Sequence, residues 1–353
     1  MSEHSATLSY SKLRFCLKFV RKLKTNSYFF IRKVSGFMYG YSRILVTGGA
    51  GFIGSHLVDR LIAEDLEVVV LDNLQGGKLG NIRQHIDKKN FRFVRDDIRN
   101  SDLVKDLVRD VDAVFHHAAI VSVPQSIEDP ALVNDVNVNG TLNLLKASLD
   151  SNVKRFIYAS SCAVYGDVEN LPIKENSELK PLSPYGVSKL AAESYVKVFY
   201  KVFGLETVCL RCFNVYGPRQ VYGPYSGVIT QFIDRLEKDL PLVIFGDGEQ
   251  TRDFVHVRDV VEANMLTLKD RGIIGEASNI ATGAATTINQ LAKILLEVTH
   301  KTRLRLIHTE PRRGDIRHSV ADISRAKKEL RYEPRISLKE GLKELAKSYG
   351  IRS

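Results

Sequence analysis

Short apolar runs alternate with amphipathic stretches along most of the chain. Six runs rich in Val, Ile, Leu and Phe predict strands, at residues 43–48, 67–72, 91–96, 112–119, 153–160 and 205–211. Helical spacing of apolar positions marks the segments between several of them, including those that run up to Ala63, around 131–150 and around 186–203. Strands that recur with intervening helices predict βαβ units and a parallel sheet covered on both faces.

The regular alternation breaks down after Gly217. Loops, short strands and helices, such as those predicted at 322–330 and 337–348, follow one another there without a fixed period. The segment 277–282 could return one more strand to the sheet. The pattern therefore predicts an α/β fold, with a Rossmann-like doubly wound parallel sheet and a smaller C-terminal α/β subdomain beside it.

This organisation divides the chain into three parts. Residues 1–42 form a basic N-terminal extension that we expect to be flexible. We expect residues 43–216 to form the sheet domain, completed by a strand at 277–282, and residues 217–353 to form most of the smaller subdomain. A chain of 353 residues is long enough for two such domains.

The basic charge belongs to the extension rather than to the folded body. The net charge is +10, and residues 1–43 contribute nine Lys and Arg against the single acid Glu3. The remaining chain is therefore close to neutral, so we expect no nucleic-acid partner for it. Apolar residues fall at helical spacing among the basic ones, at Leu13, Cys16, Leu17, Val20 and Leu23.

Three interpretations of the extension remain open. It could be a helix that contacts a membrane surface, an acid-poor targeting peptide, or a leader without fixed structure. A leader without fixed structure would not be translated at all if Met38 is the true start. None of these alternatives alters the expectations for the folded body.

Cysteine usage and hydropathy favour the cytoplasm. The four cysteines, Cys16, Cys162, Cys209 and Cys212, show no metal-ligand spacing, so we expect reduced thiols and no metal site. No apolar run reaches the roughly 18 residues of a transmembrane helix. No signal peptide with a cleavage site is visible.

A glycine-rich turn follows the first predicted strand. The stretch "TGGAGFIGSH" places Gly48, Gly51 and Gly54 between that strand and a helix. Glycines there permit a tight turn and close approach of a pyrophosphate, which the helix N-terminus then faces. Asp72 ends the second strand 18 residues after Gly54, close to the spacing at which an acid binds an adenosine ribose.

The same acid bears on which dinucleotide binds. A carboxylate repels the 2′-phosphate of NADP, and the residues after Asp72 offer only Lys78 as a cation. The sequence therefore predicts NAD as the cofactor. The spacing is G-x-x-G-x-x-G, which departs from the G-x-G-x-x-G of many dehydrogenases.

A tyrosine and a lysine lie four residues apart on a predicted helix. In "SPYGVSKLAAES", Tyr185 and Lys189 share one helix face. A tyrosine with an ordinary pKa near 10 is a poor base at neutral pH. A lysine ammonium one turn away favours the phenolate, so we expect Lys189 to lower the pKa of Tyr185 and also to bind the nicotinamide ribose.

Taken together, these motifs resemble the extended short-chain dehydrogenase/reductase family, and within it the UDP-hexose 4-epimerases. The resemblance runs from about Arg43 to the C-terminal helix. It is carried by "TGGAGFIG", "LDNL", "DDIRN", "HHAAIVSVPQSIEDP", "NVNGT", "SSCAVYG", "YGVSK", "RCFNVYGPRQ", "GDGEQTRDFVHV" and "RRGDIRHSVAD". Cys212 departs from the tyrosine often found in the "RYFN" form of one motif.

The resemblance implies a role for each matching residue. Catalysis falls to Ser161, Tyr185 and Lys189. Cofactor contacts fall to Gly48, Gly51, Phe52, Ile53, Gly54, Asp72, Asn73, Asp97, Ile98, Ala118, Ala119, Asn137, Tyr185 and Lys189. Substrate contacts fall to Ser160, Ser161, Asn214, Arg252, Arg312 and Ser319. The two arginines would bind the diphosphate, for which a planar guanidinium is suited, unless they form ion pairs with Asp253 or Asp315.

The residues after Ser161 bear on the reaction. The related 4,6-dehydratases carry Asp-Glu there to expel water, and decarboxylating relatives carry a glutamate. Here the two positions are Cys162 and Ala163, which cannot act as acids. The resemblance therefore implies C4 epimerisation, in which Tyr185 takes the C4 hydroxyl proton, NAD takes the hydride, and the 4-keto sugar takes it back on its other face.

The preferred sugar is left open. Ser319 matches a position beside sugar C2, and its small size leaves room for an N-acetyl group, so UDP-GlcNAc/UDP-GalNAc, UDP-Glc/UDP-Gal or both are expected. A UDP-glucuronate 4-epimerase or another NAD-dependent sugar-nucleotide modifier is the enzymatic alternative. An NAD-binding scaffold with a basic contact arm is the non-enzymatic one. The resemblance also implies a homodimer through helices that include 131–150 and 186–203.

Overall fold

The structure is a computed structural model that describes residues 40–220, 227–311 and 316–352. Most of the predicted extension, and with it Cys16 and Met38, lies outside these ranges, as does Arg312. No helix within them is long and apolar enough to cross a membrane. The same residues contain no cluster of His, Cys, Asp and Glu that could hold a metal ion.

Strands form at every predicted position, and their ends differ from the prediction by at most three residues. In chain order the strands are β1 (Arg43–Thr47), β2 (Glu67–Leu71), β3 (Phe91–Val94), β4 (Ala113–His116), β5 (Arg155–Ser161), β6 (Thr207–Cys212), β7 (Asn214–Tyr216), β8 (Leu242–Phe245), β9 (Thr251–Arg252), β10 (Phe254–His256), β11 (Ala277–Ile280), β12 (Thr286–Thr287), β13 (Leu306–Thr309) and β14 (His318–Ser319).

Helices fill most of the intervals between strands. They are α1 (Phe52–Ala63), α2 (Ser101–Val108), α3 (Val123–Glu128), α4 (Pro130–Asn134), α5 (Gly140–Asp150), α6 (Pro184–Phe203), α7 (Val228–Glu237), α8 (Val257–Lys269), α9 (Ile288–Val298) and α10 (Leu338–Ser348). A π-helical turn at Asp135–Asn139 joins α4 to α5, and a second lies at Ala326–Leu330.

A seven-stranded parallel sheet lies at the centre, in the order β11-β6-β5-β4-β1-β2-β3. Its central strands are buried on both faces, as the continuous apolar runs predict. Ile44 and Val46 face one apolar core and Leu45 faces the other, because successive side chains of a strand point to opposite faces. The predicted doubly wound α/β fold is confirmed.

The chain order of the sheet reverses at β1. One half runs from β1 through β2 to β3, and the other from β1 through β4 towards β11. The crevice outside the carboxyl ends of the strands at such a reversal is where open α/β sheets bind ligands. Thr47, His116 and Ser161 all end strands at this edge.

A separate apolar core lies beyond the sheet. Residues of α7, α9 and α10 pack there with β8 and β10, around Phe232, Leu291 and Leu342. Small sheets accompany it, one of them in the order β12-β9-β14. In that sheet Arg252 is the register partner of Ser319.

Candidate active site

The glycine turn between β1 and α1 is built for close backbone approach. Gly48 has φ +69°, a left-handed conformation that favours glycine. A Cβ on Gly54 would lie 2.2 Å from the carbonyl oxygen of Gly48, so no larger residue fits. Gly51 precedes α1, and Phe52 and Ile53 form its first turn, so their amides are directed towards the crevice. The turn leaves an open N-terminus suited to a pyrophosphate.

Asp72 lies directly above this turn. Its Oδ2 accepts a hydrogen bond from the Ala50 amide at 2.9 Å, and its Oδ1 accepts one from the Leu74 amide at 2.8 Å. Burial raises the pKa of this carboxyl, although the backbone donors act against that shift. A Cβ on Gly77 would lie 2.9 Å from Asp72 Oδ2, so the neighbouring loop also approaches closely. These residues fit a dinucleotide whose ribose reaches the carboxylate.

Asn73, Asp97 and Ile98 extend the crevice beyond Asp72. Asn73 Nδ2 donates to Asp97 Oδ2 at 2.9 Å. Arg99 donates to both Asp97 oxygens, and these hydrogen bonds hold the pKa of Asp97 near 2. Ile98 is buried and leaves no room for a Cβ on Gly140, since its Cδ1 would be 2.5 Å away. Asp97 thus provides a charged side chain next to Asn73, and Ile98 provides an apolar one.

Asn137 connects the loop that follows β4 to α6. Its Oδ1 accepts from the Ile120 amide at 2.8 Å, and its Nδ2 donates to the Ile120 carbonyl and to Ser188 Oγ, both at 2.9 Å. The side chain is buried and its hydrogen-bonding groups are used within the protein. Asn137 thus ties the loop that carries Ala118 and Ala119 to α6, and its expected contact with the cofactor stays a prediction.

The two serines at the end of β5 point to opposite faces. Ser161 Oγ hydrogen-bonds to Tyr185 and accepts from the Ala163 amide at 3.2 Å. Ser160 Oγ is buried and donates to Glu193 at 2.6 Å. Successive strand residues point to opposite faces, so Ser160 points away from Ser161, and its expected contact with the substrate stays a prediction. Ser161 and Tyr185 are brought together as predicted.

Lys189 is buried one turn after Tyr185 on α6. Its Nζ donates to the Ala159 carbonyl at 2.7 Å and lies 4.6 Å from the ring centroid of Tyr158. Burial lowers the pKa of Lys189 to about 8 and raises the pKa of Tyr185 to about 12. The hydrogen bond from Ser161 acts against the tyrosine shift but does not overcome burial. The pKa of Tyr185 is therefore raised rather than lowered, with burial as the largest cause, and a lowering by Lys189 stays a prediction.

A cavity of about 340 Å³ is lined by residues of β7 and β8. Asn214 and Arg252 line it, together with Tyr216, Gln220 and Phe254. Arg252 also acts electrostatically on the Cys162 thiol, which in turn acts on Tyr185. Ser319 is buried in the strand next to Arg252. The structure thus brings four predicted substrate residues, Ser161, Asn214, Arg252 and Ser319, to one region.

Both carboxylate oxygens of Asp253 are occupied by other groups. They accept from the amides of Thr282, Gly283 and Ala321 and from the Thr282 hydroxyl, at 2.6 to 3.2 Å. Asp253 therefore joins the ends of β10 and β11 to the strand region that carries Ser319. It organises the backbone around Arg252.

One buried element was not predicted. His116 Nδ1 lies 2.7 Å from Thr47 Oγ1, and its Nε2 lies 2.8 Å from Thr141 Oγ1. Because the Thr141 hydroxyl donates to the Asn137 carbonyl, His116 must donate through Nε2 and accept at Nδ1 from Thr47. Thr47 Oγ1 in turn accepts from the Ala118 amide at 3.3 Å. The sequence signal was a polar pair, "HH", at the end of an apolar strand.

The chain is similar in sequence to proteins of a known family. Residues 44–281 match the sequence model of the NAD dependent epimerase/dehydratase family. A UDP-glucose 4-epimerase of Mycolicibacterium smegmatis is 37% identical over 302 residues, which covers 85% of this chain and 96% of the relative.

Two solved structures are similar over nearly their whole length. A UDP-glucose 4-epimerase of Thermotoga maritima, solved with UDP-glucose, is 41% identical with a TM-score of 0.82, and covers 87% of this chain and 98% of its own. A UDP-N-acetylglucosamine 4-epimerase of Methanobrevibacter ruminantium, in complex with UDP-N-acetylmuramic acid, is 39% identical with a TM-score of 0.83, and covers 87% and 97%.

Proposed function

The chain belongs to the NAD dependent epimerase/dehydratase family, and from this premise we propose that it is an NAD-dependent UDP-hexose 4-epimerase, an isomerase. Its cofactor is NAD. Similarity to relatives that act on UDP-glucose and UDP-N-acetylglucosamine supports a UDP-sugar as the substrate. We assign the cofactor to residues 43–216 with 277–282, and most of the sugar nucleotide to 217–353.

One observation carries the choice of reaction within the family. The hydroxyl pair Ser161 and Tyr185 lies at the end of β5, and the two residues that follow Ser161 are Cys162 and Ala163. Cys162 carries a thiol where the dehydratases carry a carboxylic acid. Burial raises the pKa of this thiol to about 11, so it stays protonated at neutral pH. An elimination across C5–C6 needs an acid at this place. Proton transfer at a single hydroxyl does not.

The residues divide the work as follows. Tyr185 accepts the proton of the sugar C4 hydroxyl, and Ser161, hydrogen-bonded to Tyr185, orients that hydroxyl. Bound NAD supplies a reversible hydride acceptor, so no reducing equivalent leaves the protein. Arg252 lines the cavity together with Asn214, and we assign the diphosphate to Arg252 and Arg312, because a guanidinium binds phosphate oxygens bidentately. The diphosphate anchor lets the sugar turn over while the nucleotide stays in place.

Ser319 bears on the sugar that is accepted. It is small and buried, next to Arg252 in the β9–β14 pair. A small residue beside C2 leaves room for an N-acetyl group, so we assign UDP-GlcNAc/UDP-GalNAc as the preferred pair, with UDP-Glc/UDP-Gal also accepted. Further parts of the proposal are a cytoplasmic location, a homodimer, and a membrane-surface contact through the extension.

The experiment is a side-by-side conversion of UDP-Glc, UDP-GlcNAc and UDP-GlcA with product identification by NMR. The proposal predicts C4-inverted products, with UDP-GlcNAc converted fastest. If UDP-GlcA were converted fastest, the protein would instead be a UDP-glucuronate 4-epimerase. A 4-keto-6-deoxy product would contradict the argument from Cys162 and Ala163. Binding of NAD without conversion of any sugar would favour a scaffold.

A further inference from the structure

A charged cluster joins α1 to the turn that follows β7. Arg219 Nη2 lies 2.7 Å from Asp59 Oδ2, and these side chains are 26% and 33% exposed. The other carboxylate oxygen of Asp59 lies 2.6 Å from His85 Nε2 and 2.8 Å from Gln84 Nε2. Burial acts to raise the pKa of Asp59, but the His85 hydrogen bond and the Arg219 charge outweigh it and lower the pKa. Asp59 is therefore a fully engaged anion.

The turn that Asp59 holds has a disfavoured backbone. Arg219 has φ +68°, in the left-handed region that non-glycine residues rarely adopt. His56, three residues before Asp59 on α1, places its Nε2 2.9 Å from the Pro218 carbonyl oxygen. Such a backbone persists where its surroundings over-determine it. Two side chains of α1 supply that constraint.

The residue after Arg219 belongs to the substrate cavity. Gln220 lines it together with Asn214 and Arg252. The Gln220 carbonyl accepts from the Tyr349 hydroxyl at 2.7 Å, and its Nε2 donates to the Val215 carbonyl at 3.4 Å. Its Oε1 is buried with no hydrogen-bond partner within the described ranges. A buried acceptor without a donor is costly, and a ligand N–H in the cavity would satisfy it.

We propose that Asp59 is a positioning residue for the sugar-nucleotide cavity: its ion pair with Arg219 holds the 217–219 turn and thereby places Gln220 in the cavity wall. The inference rests on the proposed function, because the cavity is taken to hold the UDP portion. The helix α1 begins at the glycine turn, so one element supports both the dinucleotide crevice and the substrate cavity.

The test is calorimetric titration of UDP into the NAD-loaded protein. Asp59→Asn keeps the size of the side chain and removes the charge that pairs with Arg219. We expect about tenfold weaker UDP binding and a similar rise in KM, with kcat within about twofold of the wild type. The matched control is Asp106→Asn, whose partner Arg109 lies on an exposed surface of another helix. We expect no change there.

A second variant separates a shared role from a general loss of stability. Arg219→Met should weaken UDP binding about as much as Asp59→Asn, and the double variant should bind no more weakly than either, because both remove one interaction. Thermal unfolding midpoints should stay close to that of the wild type.

Two results would overturn the inference while the proposed function stands. The first is that Asp59→Asn binds UDP as tightly as the wild type. The second is that the losses of UDP affinity in the two single variants add fully in the double variant. A wild-type protein that neither binds UDP nor interconverts UDP-sugars would overturn the proposed function itself.

Discussion

At the scale of residues, burial displaces the pKa of both Tyr185 and Lys189 towards the neutral form. The pKa of Tyr185 is raised to about 12, and the pKa of Lys189 is lowered to about 8. The lysine ammonium is engaged by the Ala159 carbonyl and the Tyr158 ring. The tyrosine therefore depends on Ser161 and on bound ligands to act as a base.

Replacing Tyr185 by phenylalanine tests its role as the base. Tyr185→Phe removes one hydroxyl, and we expect kcat to fall by about 10²-fold or more. NAD should remain bound, because the glycine turn and Asp72 are untouched. Tyr195→Phe, at an exposed position of the same helix, is the control and should behave as the wild type. Steady-state kinetics with absorbance of bound cofactor measures both. Activity of Tyr185→Phe within tenfold of the wild type would rule out Tyr185 as the base.

Buried histidines predict loss of stability in acid. Burial lowers the pKa of His117 and His256 to about 4, and lowers those of His56 and His116 as well. Below pH 6.5 the unfolded chain therefore binds protons that the folded protein does not. The buried neutral histidines contribute fully to the free energy of unfolding above pH 6.5. As the pH falls below that value, this free energy decreases by about 1.4 kcal/mol per pH unit for each histidine.

Urea unfolding from pH 7 to pH 4.5 checks this sign and slope. His117→Asn should flatten the pH dependence by about one proton, because the His117 ring hydrogen-bonds to the neutral side chain of Asn264. An identical slope for the variant and the wild type would show that His117 does not titrate as described.

At the scale of elements, a buried polar network fixes α6 against the sheet. Glu193 of α6 pairs with Arg211 of β6 at 2.5 Å, and both side chains are 2% exposed. Glu193 also accepts from Ser160, the neighbour of Ser161 on β5. Arg211 donates to the Tyr165 hydroxyl at 2.8 Å. The network therefore sets the rotation of the helix that carries Tyr185.

Breaking this network should be costly. Glu193→Gln leaves the Arg211 cation buried without its counter-charge, and we expect the free energy of unfolding to fall by about 3 kcal/mol. Glu178→Gln, which removes an exposed pair with Lys180, should change it little. Urea denaturation measures both. Equal effects of the two substitutions would mean that the buried pair does not stabilise α6.

The elements themselves could be predicted from the sequence, but several side-chain directions could not. Apolar runs located six of the seven strands of the central sheet, the segment 277–282 was a candidate for the seventh, and i, i+4 spacing placed Tyr185 and Lys189 on one helix face. Ser160 and Ser161 must point to opposite faces of a strand, but which of them faces the crevice depends on strand register, which a single sequence leaves open. Asn137, and the pairing of Asp59 with Arg219 across 160 residues, depend on tertiary contacts that local patterns do not encode.

At the scale of the whole molecule, α6 presents an exposed apolar face. Val187, Val198, Val202 and Phe203 are 46 to 64% exposed. Exposed apolar patches of this kind mark interaction sites. A second copy of the chain is the partner that we propose for this face.

Light scattering after size exclusion tests the dimer. The wild type should elute at about twice 39.7 kDa, and Val198→Glu with Val202→Glu should yield monomers, because two buried carboxylates would oppose association. Ile307→Glu, at an exposed apolar position on β13, is the control and should remain dimeric. A monomeric wild type at tens of micromolar would refute this arrangement.

The central claim is that one carbon is inverted without net redox change, and isotope retention tests it most directly. A UDP-hexose deuterated at C4 is converted in ordinary water, and the product is analysed by NMR. The account predicts the C4 epimer with deuterium retained at C4, because the hydride returns to the sugar that released it. Loss of the label to solvent, or its appearance at C6 of a 4-keto product, would contradict the account.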